Sequence, residues 1–280
     1  MHECQWELPG GQIAICYAKD LAENGVAKQA YPHGFEHHYF RGEKALKDLV
    51  VGKNPELIFC DSMSDMFAVN VPSDQVRAVL GAMRKAPHHA YQSLTKAAPQ
   101  LLKYLDDLPP NLWAGVSSPP DWFMGKRLTR PQQVAMCRKS LEVLATVKAK
   151  TGNIVWMSAE PVSWDLTEIM DKDHPLDWIV IGAASNGPKY YQPDPGHIKR
   201  LLELMDATET PVFFKGNIES LFDAHNFGTV ALNRWREDFP LTCHGYPIPA
   251  VERRQAMCRE HDWPEDVKHR KPLPVIADLF

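Results

Sequence analysis

Asp177-Trp-Ile-Val-Ile-Gly-Ala-Ala-Ser185 is a short apolar run, rich in β-branched and aromatic residues, that ends in small and polar ones. A run of this length bounded by turn formers reads as a buried strand of a parallel sheet. It is far shorter than the roughly 20 apolar residues a membrane helix needs. Working outward, the same pattern recurs upstream at Asn153 to Glu160, Leu112 to Ser118, Ala90 to Lys96, Glu56 to Ser62 and Gln12 to Ala18, and downstream at Pro211 to Gly216. Between the runs lie helical patterns. Ser73 to Lys85 opens on a serine suited to an N-cap, and Pro131 to Lys150 opens on the proline favoured in a first turn. The alternation predicts an α/β fold, a full or partial TIM-type (β/α) barrel over residues 1–217. Residues 218–280, rich in proline and basic side chains, read as a C-terminal extension packed on the barrel. Within it Asn226 to Leu232 suits an eighth strand or a cap.

The 280 residues are 44% hydrophobic and 24% charged, which excludes a disordered, collagen-like or coiled-coil chain. A formal charge of −4 means that no global polycation recruits nucleic acid. The N-terminus lacks the basic and apolar regions of a secretory signal, so a cytoplasmic location is expected. In that compartment the six cysteines are free thiols or ligands rather than a disulfide framework.

Chemistry in parallel barrels gathers where strands meet the loops that follow them. Those positions hold Cys16, then Cys60, Asp61 and Ser62, then Lys96, Ser117, Glu160, Ser185 and Lys215. Asp61, Asp65 and Glu160 are the acid and base candidates. Burial at an apolar mouth raises a carboxylate pKa and a neighbouring lysine lowers it, and either outcome can be functional. Lys96 and Lys215 suit a phosphate or a substrate carboxylate, or else close the barrel through a lysine and carboxylate network. Residues 121–130 and 185–192 mix aromatic planes with cations, as nucleic-acid-binding loops do; such aromatics equally pin a loop to its own barrel. Cys137 lies in a helical pattern and reads as core. Cys243 and Cys258, near His244 and His261, match no common zinc spacing. His33, His37, His38, His88 and His89 read as loop or surface residues. A phosphate-cradling glycine loop is missing.

Seven segments, taken in order, resemble the phage-associated three-cysteine-motif proteins, a domain family of unknown function similar to radical-SAM barrels such as spore photoproduct lyase. They are Cys16-Tyr-Ala18, Asp61 to Phe67, Leu94-Thr-Lys96, Asn111 to Val116, Ala159-Glu-Pro161, Asp177 to Gly182 and Phe213-Phe-Lys215. The resemblance implies an enzyme that modifies or repairs a nucleobase or nucleotide through a [4Fe-4S] cluster and S-adenosylmethionine. Three thiolates would hold the cluster, and Cys4, Cys16 and Cys60 are the candidates. Asp61, Ser62, Asp65, Lys96, Glu160 and Lys215 would orient substrate and cofactor, with Ser117, Ser185 and Asn186 on the cofactor side. Two positions depart from the family pattern. Ile13 stands where the motif has a cysteine, and Ala184 stands where the family tends to carry a glutamate. A cluster-less barrel enzyme that uses the rim carboxylates and lysines is the alternative, followed by a non-enzymatic nucleic-acid-binding barrel.

Overall fold

The computed structural model describes residues 4–8, 11–25, 28–35, 40, 42–60, 62–186, 189–224, 236–243 and 245–260. Asp61, His37, His38, His244, His261 and the 226–232 segment lie outside the described residues. The chain opens with strands β1 (Cys4–Glu7) and β2 (Ile13–Ala14), then helices α1 (Tyr17–Glu23) and α2 (Glu43–Asp48). Next come β3 (Leu57–Phe59), α3 (Ser73–Arg84), β4 (Ala90–Thr95), β5 (Leu112–Ser117), a hairpin of β6 (Trp122–Phe123) and β7 (Lys126–Arg127), and α4 (Arg130–Thr151). The third section holds β8 (Val155–Ala159), β9 (Trp178–Ile181), a hairpin of β10 (Ala184–Asn186) and β11 (Lys189–Tyr191), and α5 (Pro195–Ala207). It is followed by β12 (Val212–Phe214), α6 (Glu219–Ala224), β13 (Thr242–Cys243), β14 (Tyr246–Pro247) and α7 (Pro249–Glu260).

Six strands pair in parallel in the order β12-β9-β8-β5-β4-β3, a sheet curled into a half-barrel. These are six of the seven runs legible in the sequence, and the fold is a partial rather than a closed barrel among the described residues. The seventh run, Gln12 to Ala18, is not a barrel strand. Ile13 and Ala14 instead pair antiparallel with β1, and the chain turns into α1 at Cys16. The reason is local: Ala18 and Ala22, four residues apart, are the buried positions of a helix stripe, so the pattern changes period after Cys16.

The two faces of the sheet follow strict alternation. Leu112, Ala114, Val155, Met157, Ile179, Ile181, Val212 and Phe214 point into the main core, shared with Leu80, Leu144, Leu201 and their neighbours on the helices. Trp113, Trp156, Trp178 and Val180 point to the other, concave face, where Phe239, Ile248, Ala250 and Val251 of the C-terminal segment cover them. Trp178 stacks on Phe239 at 5.4 Å and donates its indole N–H to the Asp238 carbonyl at 2.8 Å. The same segment shields the sheet edge. Phe214 N–H donates to the Arg236 carbonyl, and Asp238 N–H donates to Val212, so β12 presents no bare ladder there. A cleft of about 380 Å³ lined by Met205, Asp206, Thr210, Arg236 and Phe239 lies by the start of β12, the end of the sheet away from the strand termini of interest.

The helices differ from expectation in their first residues. Pro72 takes the N-cap position of α3, so Ser73 is already helical, and its hydroxyl accepts a hydrogen bond from Tyr104 at 3.2 Å. Helix α4 opens on a capping box between Thr129 and Gln132, with Pro131 in its first turn, and stops at Gly152 in the left-handed conformation.

Candidate functional site

Alternation places the polar strand ends on one face. Counting by twos from the concave tryptophans leads from Trp113 to Ser117, from Trp156 to Glu160, from Trp178 to Gly182, and from Phe213 to Lys215. Lys96 follows in the same way from Ala90 on β4. Parallel register then sets these positions side by side at the C-terminal end of the sheet. The expected rim of Lys96, Ser117, Glu160 and Lys215 is therefore one surface above an aromatic floor.

At one side of the rim Lys215 Nζ donates to Glu160 Oε2 at 2.9 Å. Asn217 Nδ2 donates to Glu160 Oε1 at 3.4 Å and to the Ala183 carbonyl at 2.8 Å, while Asn217 Oδ1 accepts the Ala183 N–H at 3.1 Å. Both carboxylate oxygens thus have a donor. Gly182 sits where room is tight: a Cβ there would lie 3.0 Å from Glu160 Cγ and 3.1 Å from Asn217 Oδ1, so both side chains would have to give by a few tenths of an ångström. Asn217 was not anticipated from the sequence; its position two residues beyond Lys215 was the available signal.

At the other side the N-terminal strands reach over the rim. β1 lies between β2 and the β6–β7 hairpin, with Cys4 opposite Phe123 and Gln5 opposite Trp122. The hairpin turns through Met124 and Gly125, both at positive φ, and Arg127 ion-pairs with Glu7. Asp121 accepts the Glu7 N–H at 2.9 Å and an amide hydrogen of Gln133 on α4 at 2.9 Å, which ties the layer to the barrel. This pairing brings Cys4 against Cys16, and both are buried with Tyr31, Phe35 and Met63. Their thiols are hydrogen-bonded, and Lys96 hydrogen-bonds Cys4 while its Nζ lies 3.5 Å from Ser117 Oγ. Four side chains from distant parts of the chain form one polar path from α1 to β5.

The pair titrates unequally. The Cys4 hydrogen bond brings Cys16 down to about 6 against the desolvation that opposes it, and the N–H groups of Lys19, Cys4 and Ala18 add to the effect. Cys4 is pushed up, first because its proton is held by Cys16 and then by burial. Of the two, Cys16 is the thiol whose ionisation the surroundings favour.

The remaining expected residues are distributed differently. Asp65 is buried and accepts Phe67 N–H, Thr95 Oγ1–H and Lys96 N–H, each at 3.0 Å, so it fastens the loop after β3 to the end of β4. The Ser62 carbonyl accepts the Tyr17 hydroxyl. Ser185 and Asn186 lie on β10, opposite Tyr190 and Lys189, with only their backbone described. Cys60 is in the main core, its Sγ 3.9 Å from the Ile58 carbonyl, rather than in the cluster that holds Cys4 and Cys16. Cys137 is in the same core, as expected. His89 lies in the loop before β4, within the loop-or-surface reading, and is buried there. Phe59, one residue before Cys60, is 39% exposed with its ring 6.4 Å from that of Trp156. Neither Phe59 nor Trp156 was expected at the site.

The loop at 121–130 is largely committed to the fold. Trp122 and Phe123 pair with β1, Arg127 with Glu7, and the Arg130 guanidinium sits 4.8 Å over Trp164. Tyr191 in the second loop donates to Gln12 at 2.9 Å.

A [4Fe-4S] cluster that leaves one iron open takes three thiolates. The described residues supply two at one place, and no three His, Cys, Asp or Glu side chains among them converge as a metal set. The donor set as folded does not fit that group. No helix among the described residues is long and apolar enough to cross a membrane.

Comparison with curated proteins and with solved structures finds no match. A family model described as a protein of unknown function, DUF5131, matches residues 3–226, a span that holds the N-terminal sheet, the half-barrel and the whole rim. The chain belongs to the DUF5131 family.

Proposed function

We propose that the protein is an enzyme that acts on a nucleobase or nucleotide at the C-terminal rim of the half-barrel, using the rim's own carboxylate and lysines. One observation carries the reading: Lys96, Ser117, Glu160 and Lys215 share a single face of the sheet with the exposed ring of Phe59. Phe59 offers a ring on which a base stacks. Lys96 and Lys215 offer point charges for a phosphate. Glu160, with a donor on each oxygen, is fixed in orientation and stands as the proton acceptor or electrostatic partner of the reacting group. The test is turnover of a panel of nucleosides and nucleotides, with phosphate-ester and glycosidic cleavage followed separately, in wild type and Glu160→Gln. Loss of turnover in a folded variant supports the reading. Full activity in that variant, or no turnover of any member by wild type, removes it.

A second reading retains the resemblance: a radical-SAM-like, phage-associated enzyme of DNA modification or repair. The adjacency of Cys4 and Cys16 beside Lys96 favours it. It requires Cys60 to leave the main core as a third thiolate. Anaerobic reconstitution with iron and sulfide decides it: about four irons per chain, lost in Cys4→Ala, Cys16→Ala and Cys60→Ala, would replace the first reading.

A further inference from the structure

We propose that Gln92 reads the edge of the base: its side-chain amide donates from Nε2 to a ring nitrogen or carbonyl oxygen of a nucleobase stacked on Phe59, and so sets which base the rim accepts. This role rests on the nucleotide reading of the rim and adds a specificity-determining residue to it. Gln92 is the third residue of β4. Ala90 and Leu94, two positions to either side, pack on the concave face, so alternation puts Gln92 there too. In the parallel register it lies between Phe59 of β3 and Trp113 of β5. The Cys60 N–H donates to the Gln92 carbonyl at 2.8 Å, which fixes its backbone in the ladder beside Phe59.

The amide stands apart from the other polar groups of its strand. Gln92 is 8% exposed, and its Nε2 is buried without a hydrogen-bond partner among the described residues. By contrast, Tyr91 donates to the Leu49 carbonyl, Ser93 to the Trp113 carbonyl and Thr95 to Asp65. A buried N–H left unpaired costs the full desolvation of that group, and an apolar side chain of the same shape would avoid the cost. Stability alone therefore does not account for glutamine at this position. An acceptor brought in from outside the chain does. Phe59 on one side is 39% exposed, whereas Trp113 on the other is closed off at 1%, so the approach is from the Phe59 side. Neighbouring strands lie about 4.8 Å apart, and a flat ring lying on Phe59 has its edge within reach of a side chain on the next strand. The terminal torsion of glutamine is soft, so the amide turns toward that edge without moving the strand. A purine or pyrimidine has the matching form: a π face to stack and hydrogen-bonding groups in the plane of the ring. Stacking tolerates every base, and the amide supplies the discrimination that stacking lacks.

The test is calorimetric binding to the full chain. The probes are the 5′-monophosphates of adenosine, guanosine, cytidine and uridine and, as a probe with sugar and phosphate but no base, ribose 5-phosphate. Wild type is expected to rank the four nucleotides and to bind the preferred one at least about tenfold more tightly than ribose 5-phosphate. Gln92→Met keeps the shape and removes the amide. It is expected to lose about tenfold for the preferred nucleotide and to narrow the ranking, with ribose 5-phosphate unchanged and the melting temperature no lower than that of wild type. An unchanged ranking in Gln92→Met overturns the proposal and leaves the nucleotide reading standing. A clear fall in the melting temperature also overturns it, since the amide then serves the fold, through a buried water for instance. Wild type that binds no nucleotide more tightly than ribose 5-phosphate removes the nucleotide reading together with it.

Discussion

Asn217 joins Glu160 to the backbone of Ala183 through one amide: it donates to the carboxylate and closes a two-bond ring on the N–H and C=O of residue 183. The chain after β9 is thereby held where Gly182 can pass beside Glu160. Asn217→Ala removes three partners at once. Unpaired backbone groups cost about 1 to 3 kcal/mol, so the melting temperature is expected to fall by roughly 2 to 9 °C in a chain of this size. Asn217→Asp keeps the acceptor for Ala183 N–H but sets a carboxylate oxygen against Glu160 Oε1 and the Ala183 carbonyl, so it should recover none of the loss and melt no higher than Asn217→Ala. Differential scanning calorimetry compares the two.

Lys215 and Glu160 form a rim pair with the lysine side chain 47% exposed. Such a pair contributes about 0 to 1 kcal/mol, so Lys215→Met is expected to melt within about 2 °C of wild type. Its effect belongs in binding. Affinity for inorganic phosphate, measured by calorimetry, should weaken several-fold and lose part of its salt dependence; an unchanged affinity would place the anion elsewhere.

Gly115 is a packing constraint on the concave floor. A Cβ there would lie 2.3 Å from the Trp156 ring and 2.5 Å from the Ser93 carbonyl. Neither neighbour is a flexible tip, so Gly115→Ala is expected to cost about 3 kcal/mol or more. Soluble yield should drop, and any folded fraction should show a shifted tryptophan emission.

Two imidazoles, His89 buried and His174 half-buried, make the fold acid-sensitive. His89 Nδ1 accepts the Glu56 N–H and His174 Nδ1 accepts the Leu176 N–H, each at 3.2 Å, so both rings carry their proton on Nε2 and are built in neutral. Their pKa values are lowered, in each case first by desolvation and then by a neighbouring cation or imidazole, Lys148 for His174 and His88 for His89. The unfolded chain therefore binds protons first. Stability is at its full value above the unfolded pKa of about 6.5 and is lost as pH falls from there through the depressed folded values. Melting curves between pH 5 and 8 should show this slope, flattened in His174→Gln. Parallel slopes in the two proteins would count against the assignment.

How far the sequence could be read depended on the kind of signal. Runs such as Trp178-Ile-Val-Ile181 announce strands because nothing else buries so many β-branched residues in so few positions. Their polar ends announce the rim because parallel strands deliver corresponding positions to one side. The same runs conceal which residue faces which way. Both faces are apolar, so only the packing of Phe239 and Val251 identifies Trp113, Trp156 and Trp178 as the concave set. Cys4 was grouped with Cys16 only through the resemblance, and with Cys60 beside them; the residue pattern alone does not place it there, since β1 lies beside a hairpin more than a hundred residues away. Asp65 misled for a related reason: a carboxylate among polar loop residues looks like chemistry until its three donors are seen.

The covering of the tryptophan face has a consequence for how the protein is made. Trp113, Trp156 and Trp178 leave the ribosome well before the residues that shelter them, Phe239, Ile248 and Val251. During that interval the nascent sheet carries an uncapped aromatic surface, the kind of surface that recruits chaperones or drives aggregation. Synthesis that stalls before residue 239 would leave that surface bare, so the segment carrying Phe239, Ile248 and Val251, beyond the family-matched span, completes the sheet's cover.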